Sequence, residues 1–132
     1  MKINCTLIIL LPAFLLMSMT LQDDPAQWPV PEEFKNMENP VKADAESIKT
    51  GSMIYTKSCA FCHGKTGLGN GPKARGLNTF SGDFSADKYQ SQTDGEQFYK
   101  TKFGRGEMPG YEDIIEDRDI WHMVNFMRTF KK

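Results

Sequence analysis

Cys59-Ala60-Phe61-Cys62-His63, with Gly64 directly after, is the stretch that decides how this chain is read. Two cysteines separated by two residues, with a histidine directly after the second, have the spacing of a c-type haem attachment site. The chemistry explains the spacing. Each thiol adds across one of two neighbouring vinyl groups, and two intervening residues wound as a helical turn bring both sulfurs to one edge of the porphyrin. The histidine then turns its imidazole towards the iron as the proximal ligand. Three other uses of such a pair fit less well. A structural zinc site needs four N or S ligands, and beyond the motif the chain offers only Cys5 and His122. A thioredoxin-like pair belongs beside a βαβ pattern, and neither flank shows strand-like alternation. A disulfide between cysteines three apart closes a strained loop.

Outward from the motif, residues 45–58 read as a helix with Asp44 as its N-cap. Ile48, Gly51, Ser52 and Tyr55 share one face of it. Glycine weakens a helix, and a close crossing with a second helix gives Gly51 a reason to be there; an incidental glycine is the plainer alternative. After the motif, residues 64–76 hold five glycines and Pro72, a tight loop with little room for side chains. Gly64-Lys65-Thr66 lacks the earlier glycine of a phosphate loop, so no nucleotide site is expected. Leu77, Phe80 and Phe84 are spaced as apolar lining. Thr93-Asp94-Gly95-Glu96 is a capping box that predicts a helix to about residue 103, with Phe98 facing inward. Residues 104–111 place glycine or proline at nearly every second position, and Met108 stands among them. The last helix is predicted over 117–130. Ile120, Trp121, Val124, Met127 and Phe130 form its wide apolar face, while His122 is expected to face solvent. Lys131 and Lys132 follow, where cations suit the helix dipole.

Gly51 and Tyr55, the motif itself, the GLGNGP run, GEMPGY and the terminal IWHMVNFMRTF occur in a set order. That order and those spacings resemble a class I monohaem cytochrome c of the bacterial type. The resemblance implies an all-α cytochrome c fold, three to four helices packed around one covalently bound haem. Cys59 and Cys62 would carry the haem c, with His63 the proximal and Met108 the distal iron ligand. The Pro72 carbonyl, or another in the same loop, would accept from the other ring nitrogen of His63. Position in the chain supports Met108: Met53, Met123 and Met127 lie on predicted helices, and Met37 lies near the N-terminus. A bis-histidine site using His122 is the rival. The resemblance further implies a one-electron carrier and not an enzyme, in a respiratory chain, with redox proteins as donor and acceptor. A haem-bearing subunit of a larger membrane respiratory complex is the alternative. A haem enzyme or gas sensor would need an open sixth position at the iron.

Residues 1–20 read as a signal peptide, with Lys2, an apolar run from Leu7 to Met17, and small Ser18 and Thr20 at the cleavage site. The run is shorter than the ~20 residues of a spanning helix; an uncleaved N-terminal anchor is the alternative. Export points to the periplasm, with the protein soluble or membrane-associated through a partner. Residues 21–43 form an extension that Trp28-Pro29-Val30-Pro31 and Asn39-Pro40 keep from being one helix. Its composition suits a disordered tether. Against that, Trp28, Phe34 and Met37 are costly to leave in water and favour docking onto the domain, residues 44–132. The formal net charge is −1, from 16 Lys plus Arg against 17 Asp plus Glu. That balance lacks the basic excess of a nucleic-acid binder.

Overall fold

The computed structural model of the chain describes residues 28–132. The expected signal peptide, residues 1–20, and the start of the extension lie outside the described residues. Among the described residues there are six α-helices and no named strand: α1 (Glu32–Lys35), α2 (Ala45–Ser58), α3 (Ala60–His63), α4 (Asp87–Gln90), α5 (Asp94–Phe103) and α6 (Asp117–Arg128). A 3₁₀ turn (Ala74–Gly76) follows the motif. The all-α expectation holds. Three long helices carry the fold, as the periodicity indicates, and three single-turn helices add to them.

The caps fall where the side chains dictate. Asp44 accepts from Ser47 N at 3.0 Å and starts α2. The Thr93 hydroxyl accepts from Glu96 N at 3.1 Å while the Glu96 carboxylate accepts from Thr93 N at 2.8 Å, closing both halves of the box on α5. Helices α2 and α6 cross with their backbones in contact at Gly51. A Cβ at Gly51 would run into the carbonyl of His122 and the Phe126 side chain. The crossing, not chance, explains that glycine. Tyr55 is buried beside it, with ring centroids 5.3 Å from Phe126 and 5.4 Å from Phe130.

A polar knot pins the same crossing. Asn125 Nδ2 donates to Val41 O at 3.0 Å and to Ser47 Oγ at 2.8 Å, and its Oδ1 accepts from Asn39 Nδ2 at 2.9 Å. His122 Nδ1 shares a 2.8 Å hydrogen bond with Ser47 Oγ. His122 is therefore half-buried and engaged, not turned to solvent as its position on the helical wheel suggests. The tie exists because Ser47 is fully enclosed and its hydroxyl needs partners.

Helix α5 lies on α6 through Phe98 stacked on Trp121, centroids 4.1 Å apart and planes 14° from parallel. Arg128 closes the far end, donating to Asp94 Oδ1 and to the carbonyls of Gln90 and Gln92 at 2.6–2.8 Å. The described part of the extension, residues 28–43, is docked. Phe34 sits against Tyr99 and Phe103, 4.8 and 5.6 Å between centroids, and its carbonyl occupies the space a side chain at Gly95 would need. Val30 is buried, whereas Met37 stays 38% exposed.

Candidate cofactor site

The motif is itself a helical turn. Cys59 caps α3, and its carbonyl accepts from Cys62 N at 3.1 Å and His63 N at 2.9 Å. Residues three apart on such a turn share a face, so both cysteines look the same way. The glycine-rich loop then folds back on the motif. Gly69, Gly71 and Lys73 donate their N–H groups to the carbonyls of His63, Cys62 and Phe61 at 2.9–3.1 Å. Tyr55 OH donates to Gly64 O at 2.8 Å. These bonds satisfy the carbonyls that a short helix leaves open and fix the direction of the three motif side chains.

Those side chains line a cavity of about 800 Å³, within the range of sites that enclose a prosthetic group. Met108 lines it too, as do Phe84, Tyr89, Gln97, Met123 and Met127. Phe84 lies on the His63 side of the cavity, 4.6 Å from the His63 ring and stacked on Tyr89 at 4.2 Å. Burial lowers the imidazole pKa of His63, the Ser81 backbone pulling the other way. The neutral ring is the form that ligates metals. Its Nδ1 is buried without a hydrogen-bond partner, so the bond expected to the Pro72 carbonyl is not made. Burial, with the charge of Cys62 second, pushes the Cys59 thiol up to about 12, so this sulfur sits in the wall as a neutral group 3.9 Å from Met123 Sδ.

Met108 is carried by a tight loop. Arg105 N donates to Met108 O at 2.9 Å and Met108 N to Arg105 O at 3.1 Å. Glu107 reaches across to the 77–84 loop, its carboxylate accepting from Asn78 N and Thr79 N at 2.9 and 3.0 Å. The Asn78 N–H in particular holds that carboxyl below the usual range. Tyr111 OH donates to Ser58 O at 2.9 Å and anchors the loop's far end beside Cys59. The other candidates sort by position. Met53 is 59% exposed on α2, away from the cavity. His122 does not line the cavity, and its Nδ1 is engaged by Ser47 Oγ. Met123 and Met127 line it from within the α6 core, where Met127 Sδ accepts from Tyr89 OH at 3.3 Å.

Leu77, Phe80 and Phe84 all line the cavity, as their spacing suggests; Phe80 does so while 69% exposed, its ring packed against Gly69. Three site residues escape a reading of the sequence. Glu107 and Tyr111 act through contacts distant in the chain. Gln97 had one signal, since Gln97 and Thr101 put polar groups on the same helix face beside buried Phe98. Among the described residues no group of three or more His, Cys, Asp or Glu side chains could hold a metal ion directly. The wall thus fits a flat, largely apolar cofactor that brings its own metal: two thiols and one imidazole on one turn, a methionine on the same cavity wall, and aromatic sides.

The comparisons agree with this geometry. A family model described as cytochrome C oxidase, cbb3-type, subunit III matches residues 46–127. In structure the chain is similar to a chain of the Kuenenia stuttgartiensis reducing HAO-like protein complex Kustc0457/Kustc0458, with a TM-score of 0.64 and 20% identity. That match covers 81% of this chain and 53% of the other, so the present chain spans about half its length. It is also similar to the KustC0563 c-type cytochrome, with a TM-score of 0.55 and 24% identity, over 62% of this chain and 98% of that one. At these identities the likeness shows the fold. A search by sequence finds no matching curated protein.

Proposed function

Because the chain belongs to the cytochrome C oxidase, cbb3-type, subunit III family, whose cytochrome c domain transfers electrons through haem, we propose that it is a one-electron carrier with haem c in the cavity. In this reading Cys59 and Cys62 hold the haem as thioethers, and His63 and Met108 are its proximal and distal iron ligands. The observation that carries it is the shared wall: the turn of α3 presents Cys59, Cys62 and His63 to the cavity that Met108 also lines.

When bound, haem c supplies an iron that alternates between its ferric and ferrous states. The chain's own residues do the rest. His63 offers a neutral nitrogen held in place by Phe84. Met108 offers a soft sulfur, and methionine opposite histidine raises the potential relative to two histidines. Phe84, Tyr89, Met123 and Met127 would give a bound haem an apolar, water-excluding surround, and Trp28 lines the cavity from the extension. The carrier works in a respiratory chain of the periplasm, exchanging electrons with redox proteins. Among the described residues no helix is long and apolar enough to cross a membrane. A second reading, a subunit held permanently in a larger respiratory complex, is favoured by the family's own description. A haem signal at the monomer mass in native extract would exclude it.

The ligand set is tested by Met108→Ala. The red sulfur-to-iron charge-transfer band of the oxidised protein should vanish, the reduced protein should bind carbon monoxide, and the potential should fall. Persistence of the band would assign the ligand to another methionine.

A further inference from the structure

Gln97 is 2% exposed and lines the cavity, and neither its Nε2 nor its Oε1 has a hydrogen-bond partner. Buried amides are nearly always paired, so this one is built for a group that enters the cavity. The surroundings say what kind. Lys100 and Thr101 lie three and four residues further along α5 and also face the cavity. The Thr101 hydroxyl donates to Gln97 O at 2.8 Å and Lys100 Nζ to Gln92 Oε1 at 2.6 Å, so of these three side chains the Gln97 amide is the one left without a partner. Lys100 Nζ stands 6.0 Å from the Trp28 ring centroid, and the Arg105 guanidinium stands 5.1 Å from it on the same rim. The charged side chains around the cavity are Lys88, Glu96, Lys100, Arg105 and Glu107. Of the two acids, Glu96 is taken by its capping box and Glu107 by the Asn78 and Thr79 amides. The rim thus carries three cations, Lys88, Lys100 and Arg105, against two carboxylates that already accept hydrogen bonds, while the walls of Phe84, Tyr89, Met123 and Met127 are apolar.

Haem is apolar over its ring and carries two propionate carboxylates at one edge. A carboxylate accepts charge-assisted hydrogen bonds, whereas a thioether sulfur is a weak acceptor. Resting on the haem reading above, we propose that the Gln97 amide N–H receives a haem propionate, orienting the ring in the cavity and offsetting the propionate's charge. An amide donor on that carboxylate draws negative charge away from the iron and favours the ferrous state. Gln97 is a positioning residue, acting on the iron through the propionate.

The test compares the haem-loaded wild type with Gln97→Leu and Gln97→Glu. Gln97→Leu keeps the volume and removes the donor, so the ferric state should gain about tenfold at equilibrium, a fall of about 59 mV for a one-electron couple. The propionate bending mode in the resonance Raman spectrum should shift, and the red sulfur-to-iron band should stay where it is. If Gln97→Leu does not fold, Gln97→Glu carries the test: a carboxylate facing a carboxylate should lower the potential further and move the same Raman mode. An unchanged potential and Raman mode in a folded variant would overturn the proposal. A displaced sulfur band with an unmoved propionate mode would overturn it in favour of the axial sulfur. Wild-type protein without covalent haem would instead bring down the haem reading itself, and this proposal with it.

Discussion

The crossing of α2 on α6 and the cavity face of α5 are built on opposite principles. At the crossing the backbones touch and the buried polar side chains are paired: Gly51 lies against the His122 carbonyl, and Ser47, Asn125, Asn39 and His122 bond to one another. On α5 the buried Gln97 amide has no partner, and the wall around it encloses about 800 Å³. The first region is complete within the chain. The second is completed by what it binds. A small domain can give up that much interior only because another part of its core is closed so fully.

The most direct way to break the contrast is Gly51→Val. No rotamer avoids the facing backbone, and overpacking at a backbone contact should cost about 3 kcal/mol or more. Thermal and urea unfolding of the haem-loaded protein would show it, with a loss below 1 kcal/mol refuting the claim that the crossing is closed. Asn125→Ala sharpens the same point with a smaller effect. It strips partners from Ser47 Oγ, Val41 O and Asn39, and should cost about 1–3 kcal/mol. Because the knot lies away from the cavity, the potential should not move. A changed potential with unchanged stability would mean that the two regions are not independent.

How far the sequence discloses each region follows from the range of the interactions involved. Local signals carry well: Asp44 and Thr93 set helix starts, and the apolar face of α6 sets its burial. The motif reads correctly as a turn because its chemistry depends on residues at most four apart. Gly51 is legible as a crossing point, yet the Ser47–Asn125–His122 knot is not, because its members are 75 to 78 residues apart along the chain. Distance along the chain likewise hides Glu107, whose partners lie 28 and 29 residues away, and Tyr111, whose partner lies 53 away. The extension is half legible. Its aromatics announce docking, but the surface they find, α5 around Gly95, follows only from the fold.

The measurement that bears most directly on the account is the intact mass of purified protein, taken after denaturation and acid-acetone extraction. It is best made on wild type beside the single and double alanine variants of Cys59 and Cys62, all produced with a c-type haem attachment system. The account predicts one haem retained by wild type through both treatments, at most one thioether in each single variant, and no haem in the double variant. Wild-type protein that gives up its haem to acid acetone, or a double variant that keeps it, would contradict the assignment of Cys59 and Cys62 as the covalent anchors.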